Sequence, residues 1–551
     1  MNSPVSSRRG GILALVVLIL ALAWFGPLDY RKLVKPDEGR YSEIPREMVA
    51  SGDWVTPRLN GLKYFEKPAL QYWATATAYE AFGQHDWTAR LWPALTSFLG
   101  ILLAAYTGCR LFGRQAGLYA GTVLGGSLLY FGIGHLNTLD MGLSFFMQAS
   151  LCGFLLANRP DATAPESRRW MLFTWAALGL AVLSKGIVAP VLTGAVLVLY
   201  SLAGRDLSPW RRLSLLPGLA LFFAITVPWF VAVSLRNPEF FHFFFIHEHF
   251  ERFLTKSHNR FHPWFYFVPV LVLGALPWTT MLPQTLLGAW RRVGEGFQPR
   301  RLLLIWAVFI YFFFSISSSK LPSYILPCFP ALALLLGDWL TRISRRALLW
   351  HLGVVAVLAA AVGIAAPLFI EKAANPEQPL AMMSAYGRWL AVAGALWFAG
   401  SVGAWRLARQ NRMQPAIYLV AIATFLAGNG ILLGHENLAP SNSAASLAEQ
   451  LRPQLTPDVP FYSVRTYEQT LPFYIKRTVT LVEFGDELTF GIEQEPQKAI
   501  PSVLEFETRW RADKEAFALM TPETYAELQK HGLPMQIAAR DLRRIVVKKP
   551  Q

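Results

Sequence analysis

Cysteine is almost missing from this chain: Cys109, Cys152 and Cys328 are the only three in 551 residues, and each lies in or beside an apolar run. That excludes a disulfide framework and a zinc ribbon. Charge is sparse as well, at 16% of residues, and acids are the scarcer sign, 36 against 51 lysines and arginines. There is no glycine-rich phosphate loop, no G-x-S-x-G and no kinase motif set, so chemistry on a soluble nucleotide has no support. Nor is there a repeat of roughly 20 to 50 residues, the mark of solenoids and propellers.

What the chain has instead is apolar and aromatic mass. Hydrophobic residues make up 53% and aromatics 14%, and the mean hydropathy is +0.33. Repeated apolar runs of about 20 residues identify a polytopic membrane protein. They begin near Gly11, Trp87, Gly117, Met141, Trp170, Ile187, Leu213, Trp264, Leu302, Tyr324, Leu348, Trp389 and Ile417, which predicts about thirteen spans. The first run follows Arg8 and Arg9 and has no small-residue cleavage pattern, so it reads as a retained span and not a signal peptide. The net charge of +15 does not indicate nucleic acid, because much of the excess sits in short loops. Alternate loops carry clusters such as Arg205/Arg211/Arg212 and Arg342/Arg345/Arg346, and positive charge of this kind marks the cytoplasmic side. The remaining loops, and the C-terminus, are then expected outside.

The outer loops hold the chemistry-bearing residues. Lys35–Trp73 threads acids, arginines and a lysine among Trp54, Tyr64, Phe65, Tyr72 and Trp73. Tyr41, Ile44, Met48 and Val49 recur at helical spacing, which predicts an interfacial helix from about Glu38 to Ala50 that stops at Gly52. A second helix follows Pro68 and runs to Phe82. A purely solubilising loop would not need those rings. Acids that handle a nucleophile, cations for a phosphate and rings for a sugar or lipid face are what transfer chemistry on a lipid phosphate requires.

Asp37, just past a span, is the sharpest residue: it can orient or deprotonate a nucleophile, or be only an interfacial acid paired with Arg40. Asp140 opens the fourth span at the same membrane level, either as a second acid or as a helix N-terminal acid favoured by the dipole. Arg40, Lys67, Lys185, Arg252 and Lys320 are phosphate candidates, with generic headgroup binding as the alternative for each. His247, Glu248 and His249, with Glu66 elsewhere, can hold a divalent metal such as zinc or be interfacial histidines without one. No metal is required by the sequence. From Pro440 onward, β-rich runs (VPFYSV, TVTLVEF, LRRIVVKK) surround a helical patch, TPETYAELQKHG, and predict a small α/β domain. It serves either as a stabilising module or in acceptor binding.

DEGRYSEIPREMVASGDWVTPRLNGLKYFEKPALQYW resembles the first extracytoplasmic loop of bacterial GT-C glycosyltransferases, which use polyprenyl-phosphate sugars. Together with FFIHEHFERF, HPWFYFVPVLVLGALPW and SKLPSYILPCFPALA, it is similar to the undecaprenyl-phosphate 4-amino-4-deoxy-L-arabinose:lipid A transferases of glycosyltransferase family 83, relatives of the protein mannosyltransferases. The resemblance implies an α-helical polytopic GT-C domain over residues 1–438, with periplasmic loops 29–86 and 236–263, and a periplasmic α/β domain over 439–551. It implies aminoarabinose transfer from undecaprenyl phosphate to a lipid A phosphate at the periplasmic face of the inner membrane, giving polymyxin resistance, by a monomer that binds membrane lipids and no nucleic acid. Asp37 and Asp140 are the implied catalytic acids. Arg40, Tyr64, Lys67, Lys185, Arg252 and Tyr324 are the implied donor-phosphate set, and Glu66 with His247 the implied metal pair. Two alternatives stay open: a related transferase acting on protein or another glycan, and a lipid-linked sugar flippase. Transport would place polar residues near the bilayer midplane, whereas these gather at one membrane end.

Overall fold

A backbone in lipid must satisfy its own hydrogen bonds, so the apolar runs fold as helices. The computed structural model describes residues 18–251, 262–292 and 294–550, with the backbone alone for 247–251. Among the described residues eight helices are long and apolar enough to cross a membrane, or ten if each of two bent pairs is one span. The other expected runs are also helical, but they are bent, short or charged at their ends. The pair Arg114–Gly125 and Leu128–Gly134 bends by 64°, and Phe267–Gly274 with Thr279–Ala289 bends by 108°, the latter across Pro277, which has no N–H to continue a helix. Val188–Gly204 is short, and the first expected span, from Gly11, lies partly outside the described residues. Ala164–Lys185 has 22 residues but opens on Glu166, Arg168 and Arg169 and ends on Lys185.

The elements that build the site follow in chain order. Helix α1 (Asp37–Ser51) has Asp37 and Glu38 in its first turn, where the helix dipole favours acids, and ends at Gly52 with φ 71°, a left-handed cap that suits glycine. The hairpin β1 (Arg58–Leu59) and β2 (Leu62–Lys63) comes next, then α2 (Leu70–Phe82), capped by Gly83. After these come α3 (Asp86–Phe112), α4 (Leu139–Ala157) and α5 (Ala164–Lys185). Both loop helices fall where the sequence places them.

One expectation needs correcting. A helix lying on a membrane should leave its charged side wet, yet α1 is buried at every residue from Glu38 to Met48. The C-terminal region covers it. There, β3 (Phe461–Val464), β4 (Thr480–Val482), β5 (Ala499–Ile500), β6 (Phe517–Met520), β7 (Gln536–Arg540) and β8 (Ile545–Lys548) form one sheet in the order β5-β4-β3-β6-β8-β7. The first four strands are parallel, and β8 and β7 extend the sheet antiparallel.

Tyr41, Ile44 and Met48 of α1 share a single apolar core with Leu59, Leu62, Tyr64 and Tyr72, and with Leu447, Phe461, Leu481, Phe517 and Val546. Loop and C-terminal region are thus one packed unit. Polar ties reinforce it: Asn60 Nδ2 donates to Val479 O at 2.7 Å and Val479 N returns a bond at 2.8 Å, while Arg58 pairs with Glu495 at 2.8 Å. Gly39 is where the two surfaces touch most closely. A β-carbon there would sit 2.5 Å from Gln469 C and 2.7 Å from Thr470 N, so only glycine fits without displacing backbone.

Candidate active site

The neighbouring acids Asp37 and Glu38 diverge completely. Glu38 accepts from Arg31 at 2.8 and 3.1 Å, from Arg90 at 2.7 and 2.9 Å, and from the backbone N–H groups of Val34 and Asn137 at 3.0 and 3.1 Å. Burial pushes its carboxyl up, but the two guanidiniums outweigh it and hold the group well below the usual carboxylate range. Arg90 belongs to α3 and Asn137 precedes α4, so Glu38 bolts the start of α1 to two long helices and fixes the direction of its neighbour.

Asp37 points outward and is 41% exposed. Among the described residues its one ion pair is with Arg40 Nη1 at 3.2 Å, one turn along the same helix. Arg40 also pairs with Glu487, whose other oxygen accepts from Gln469 Nε2 at 2.8 Å. Burial pulls the Arg40 guanidinium down, yet Tyr64, Tyr41, Glu487 and Glu66 together hold it above its ordinary value. Burial, then Glu66, pushes the Tyr64 phenol far up, so it remains an O–H donor. Arg40 Nε, Tyr64 OH and Tyr72 OH are buried and have no hydrogen-bond partner among the described residues. Such orphans are rare and costly in a folded interior. Three donors left waiting beside an exposed carboxylate suit a ligand rich in acceptor oxygens.

A second cluster comes from distant segments. Lys185, at the end of α5, donates to Asp140 Oδ1, Ser323 Oγ donates to Asp140 Oδ2 at 3.0 Å, and the ammonium lies 4.9 Å from the Tyr324 ring centre. Lys185 is within electrostatic reach of Asp37, which joins the two clusters. Lys67 Nζ donates to Glu66 O at 2.7 Å and stands 3.9 Å from Glu66 Oε2.

The structure therefore gathers Asp37, Arg40, Tyr64 and Glu66, and beside them Asp140, Lys185 and Tyr324. Lys320 is not part of that cluster; it donates to the backbone carbonyls of His262 and Ser317. Arg252 lies outside the described residues, and His247 is described in its backbone alone. Among the described residues no three His, Cys, Asp or Glu side chains gather as metal ligands. Glu487 and Ser323 escaped the sequence reading, and Tyr72 was read only as one of the loop rings. Ser323 stands next to Tyr324 in SKLPSY and Tyr72 sits among the loop aromatics, so both carried a weak signal. Glu487, in a polar turn of a separate region, carried none.

Acids and cations collected at one end of a multi-helical membrane body, under a small α/β cap, fit the GT-C class of glycosyltransferases, and the comparisons with known proteins place the chain there. Residues 11–244 match the family model of dolichyl-phosphate-mannose-protein mannosyltransferases, and residues 447–549 match that of the aminoarabinose transferase C-terminal domain. The undecaprenyl phosphate-alpha-4-amino-4-deoxy-L-arabinose arabinosyl transferase 1 of Sodalis glossinidius (strain morsitans) is 34% identical, over 71% of this chain and 70% of its own. The corresponding Erwinia tasmaniensis transferase is also 34% identical, over 71% and 72%. The crystal structure of ArnT from Cupriavidus metallidurans bound to undecaprenyl phosphate is 42% identical, covers 98% of this chain and 99% of that one, and superposes with a TM-score of 0.94. An Archaeoglobus fulgidus oligosaccharyltransferase, at 13% identity and a TM-score of 0.53, shares the fold alone. The chain belongs to the undecaprenyl phosphate-aminoarabinose arabinosyl transferase family.

Proposed function

We propose that this membrane enzyme transfers 4-amino-4-deoxy-L-arabinose from undecaprenyl phosphate to a phosphate of lipid A, acting as a monomer at the periplasmic face of the bacterial inner membrane. The observation that carries the reading is the exposed Asp37 carboxylate beside buried, unpartnered donors of Arg40 and Tyr64. An oxygen of the acceptor phosphate attacks the anomeric carbon, and the bond from that carbon to the undecaprenyl phosphate oxygen breaks, leaving its electron pair on the departing phosphate. The attacking phosphate is already anionic, so no strong base is needed. Asp37 orients the incoming group and balances charge on the sugar, while Arg40, Lys67, Lys185 and Arg252, with the hydroxyls of Tyr64 and Tyr324, hold the departing phosphate. Asp140 keeps Lys185 in place and stands as the second acid. Glu66 with His247 is the pair at which a divalent metal such as zinc is to be sought, by metal analysis of the purified protein. The added amine offsets negative charge on lipid A, which weakens its attraction for polymyxin and other cationic peptides.

The test is mass spectrometry of lipid A from a strain that makes the donor but lacks its own transferase, complemented with this chain or with Asp37→Ala. Aminoarabinose on lipid A with the unmutated chain alone supports donor, acceptor and key acid together. If both chains reach the membrane and neither modifies lipid A, the acceptor assignment is wrong.

A further inference from the structure

Outside the Asp37 cluster lies an open cavity of about 460 Å³, lined among others by His262, Trp264, Tyr311, Phe312, Ile316 and Lys320. Its chemistry is divided. At its rim Trp264, Phe312 and Ile316 are 76%, 58% and 83% exposed, a surface of rings and branched carbon suited to hydrocarbon. At its polar end stands Lys320, only 3% exposed. This ammonium donates to the backbone carbonyls of His262, at 3.1 Å, and Ser317, and meets no carboxylate among the described residues. Buried charges are ordinarily paired with opposite charge. Here the counter-charge is missing while Ser315, Ser317 and Ser318 line the same space. The cation therefore calls for an anion with several acceptor oxygens, and the rim calls for an acyl or prenyl chain.

The cavity's place in the fold says which lipid. Lys320 stands two residues before the 3-10 turn Pro322–Cys328, which carries Ser323 onto Asp140 and Tyr324 onto Lys185. The donor phosphate is already provided for at that cluster. A reaction that moves a sugar from one lipid phosphate to another needs a second cationic seat opening to the bilayer near the first, and Lys320 supplies one. We infer that the Lys320 cavity seats a phosphate of the acceptor lipid, with Trp264, Phe312 and Ile316 holding its chain. This rests on the lipid A reading above for the identity of the acceptor, though not for the existence of the seat.

The test is steady-state transfer by the full chain in detergent micelles, with donor and purified lipid A varied independently. Lys320→Ala raises KM for lipid A by about tenfold, leaves KM for the donor within about twofold, and Lys320→Arg restores most of the loss. Trp264→Ala, at an exposed rim position where folding is not at stake, raises the same KM and keeps the test decisive if Lys320→Ala lowers the melting temperature. An unchanged acceptor KM in both variants overturns the inference, as does a parallel rise in donor KM. Inorganic phosphate separates a lipid seat from a free-phosphate site: competition with lipid A that vanishes in Lys320→Ala supports the seat, whereas Lys320-dependent inhibition that is not competitive with lipid A would show a free-phosphate site and overturn the proposal. If the unmutated enzyme ignores lipid A but glycosylates another lipid phosphate, the acceptor reading fails, and the same KM comparison on that lipid still judges the seat.

Discussion

Two regions of α1, one residue apart, use the same chemistry to opposite ends. Around Glu38, two arginines and two backbone N–H groups meet one buried carboxylate and saturate it. Around Asp37, a half-exposed carboxylate meets one arginine, and donors nearby are buried without partners. A saturated network holds structure, and an unsaturated one waits for a ligand. The difference teaches that acids and arginines in a membrane-surface loop must be sorted by satisfaction and not by type.

The contrast can be broken from either side. Glu38→Ala should have the largest effect, because it leaves Arg31 and Arg90 buried without a counter-charge; a loss of roughly 3 to 5 kcal/mol is expected, read as a lower unfolding temperature in detergent and poor recovery from the membrane. Asp37→Asn should do the reverse. Its melting temperature stays at that of the unmutated chain while transfer falls by about a hundredfold or more. Full activity in Asp37→Asn, or an unaltered melting temperature in Glu38→Ala, would erase the distinction.

Gly39→Ala sharpens the comparison from between the two. The new methyl meets Gln469 and Thr470 backbone, so a cost of about 1 to 3 kcal/mol should appear as earlier protease cutting near the entry to the C-terminal region, with transfer falling in step. The smallest effect expected is on pH dependence. Burial, then Glu43, pushes the Glu47 carboxyl up to about 8. A folded-state value above the unfolded one means that the folded chain holds the extra proton. The resulting penalty is absent below the unfolded value of 4.5 and grows as pH rises to about 8. Melting temperature should therefore fall across that window, and Glu47→Gln should flatten the slope.

Much of the fold was legible because lipid imposes a strong pattern. The apolar runs, α1 with its stop at Gly52, α2 ending at Phe82, and the strands in VPFYSV, TVTLVEF and LRRIVVKK all lie where the residues place them. What stayed hidden depended on contacts between distant segments. Nothing local to Arg31 or Arg90 says that they share Glu38, although an arginine in the first turns of an apolar helix is itself a signal of pairing. Nothing in α1 says that its charged faces will be covered from residue 445 onward. The bends near Ser127 and Pro277 were hidden because they leave the apolar composition unchanged. Within the site, Asp37, Arg40 and Tyr64 were visible as a loop that mixes acids, cations and rings. Glu487 was not, since an acid in a polar turn looks wet until its partner is known.

The shared core of loop and C-terminal region also orders events in time. A ribosome makes Asp37 long before the strand Ile545–Lys548, yet Tyr41, Tyr64 and Val546 belong to one packed cluster. The loop must therefore wait, incompletely packed, while the whole transmembrane body is synthesised. A chain that stops before Ile545 leaves the loop incompletely packed, so the site is finished only after that strand is made.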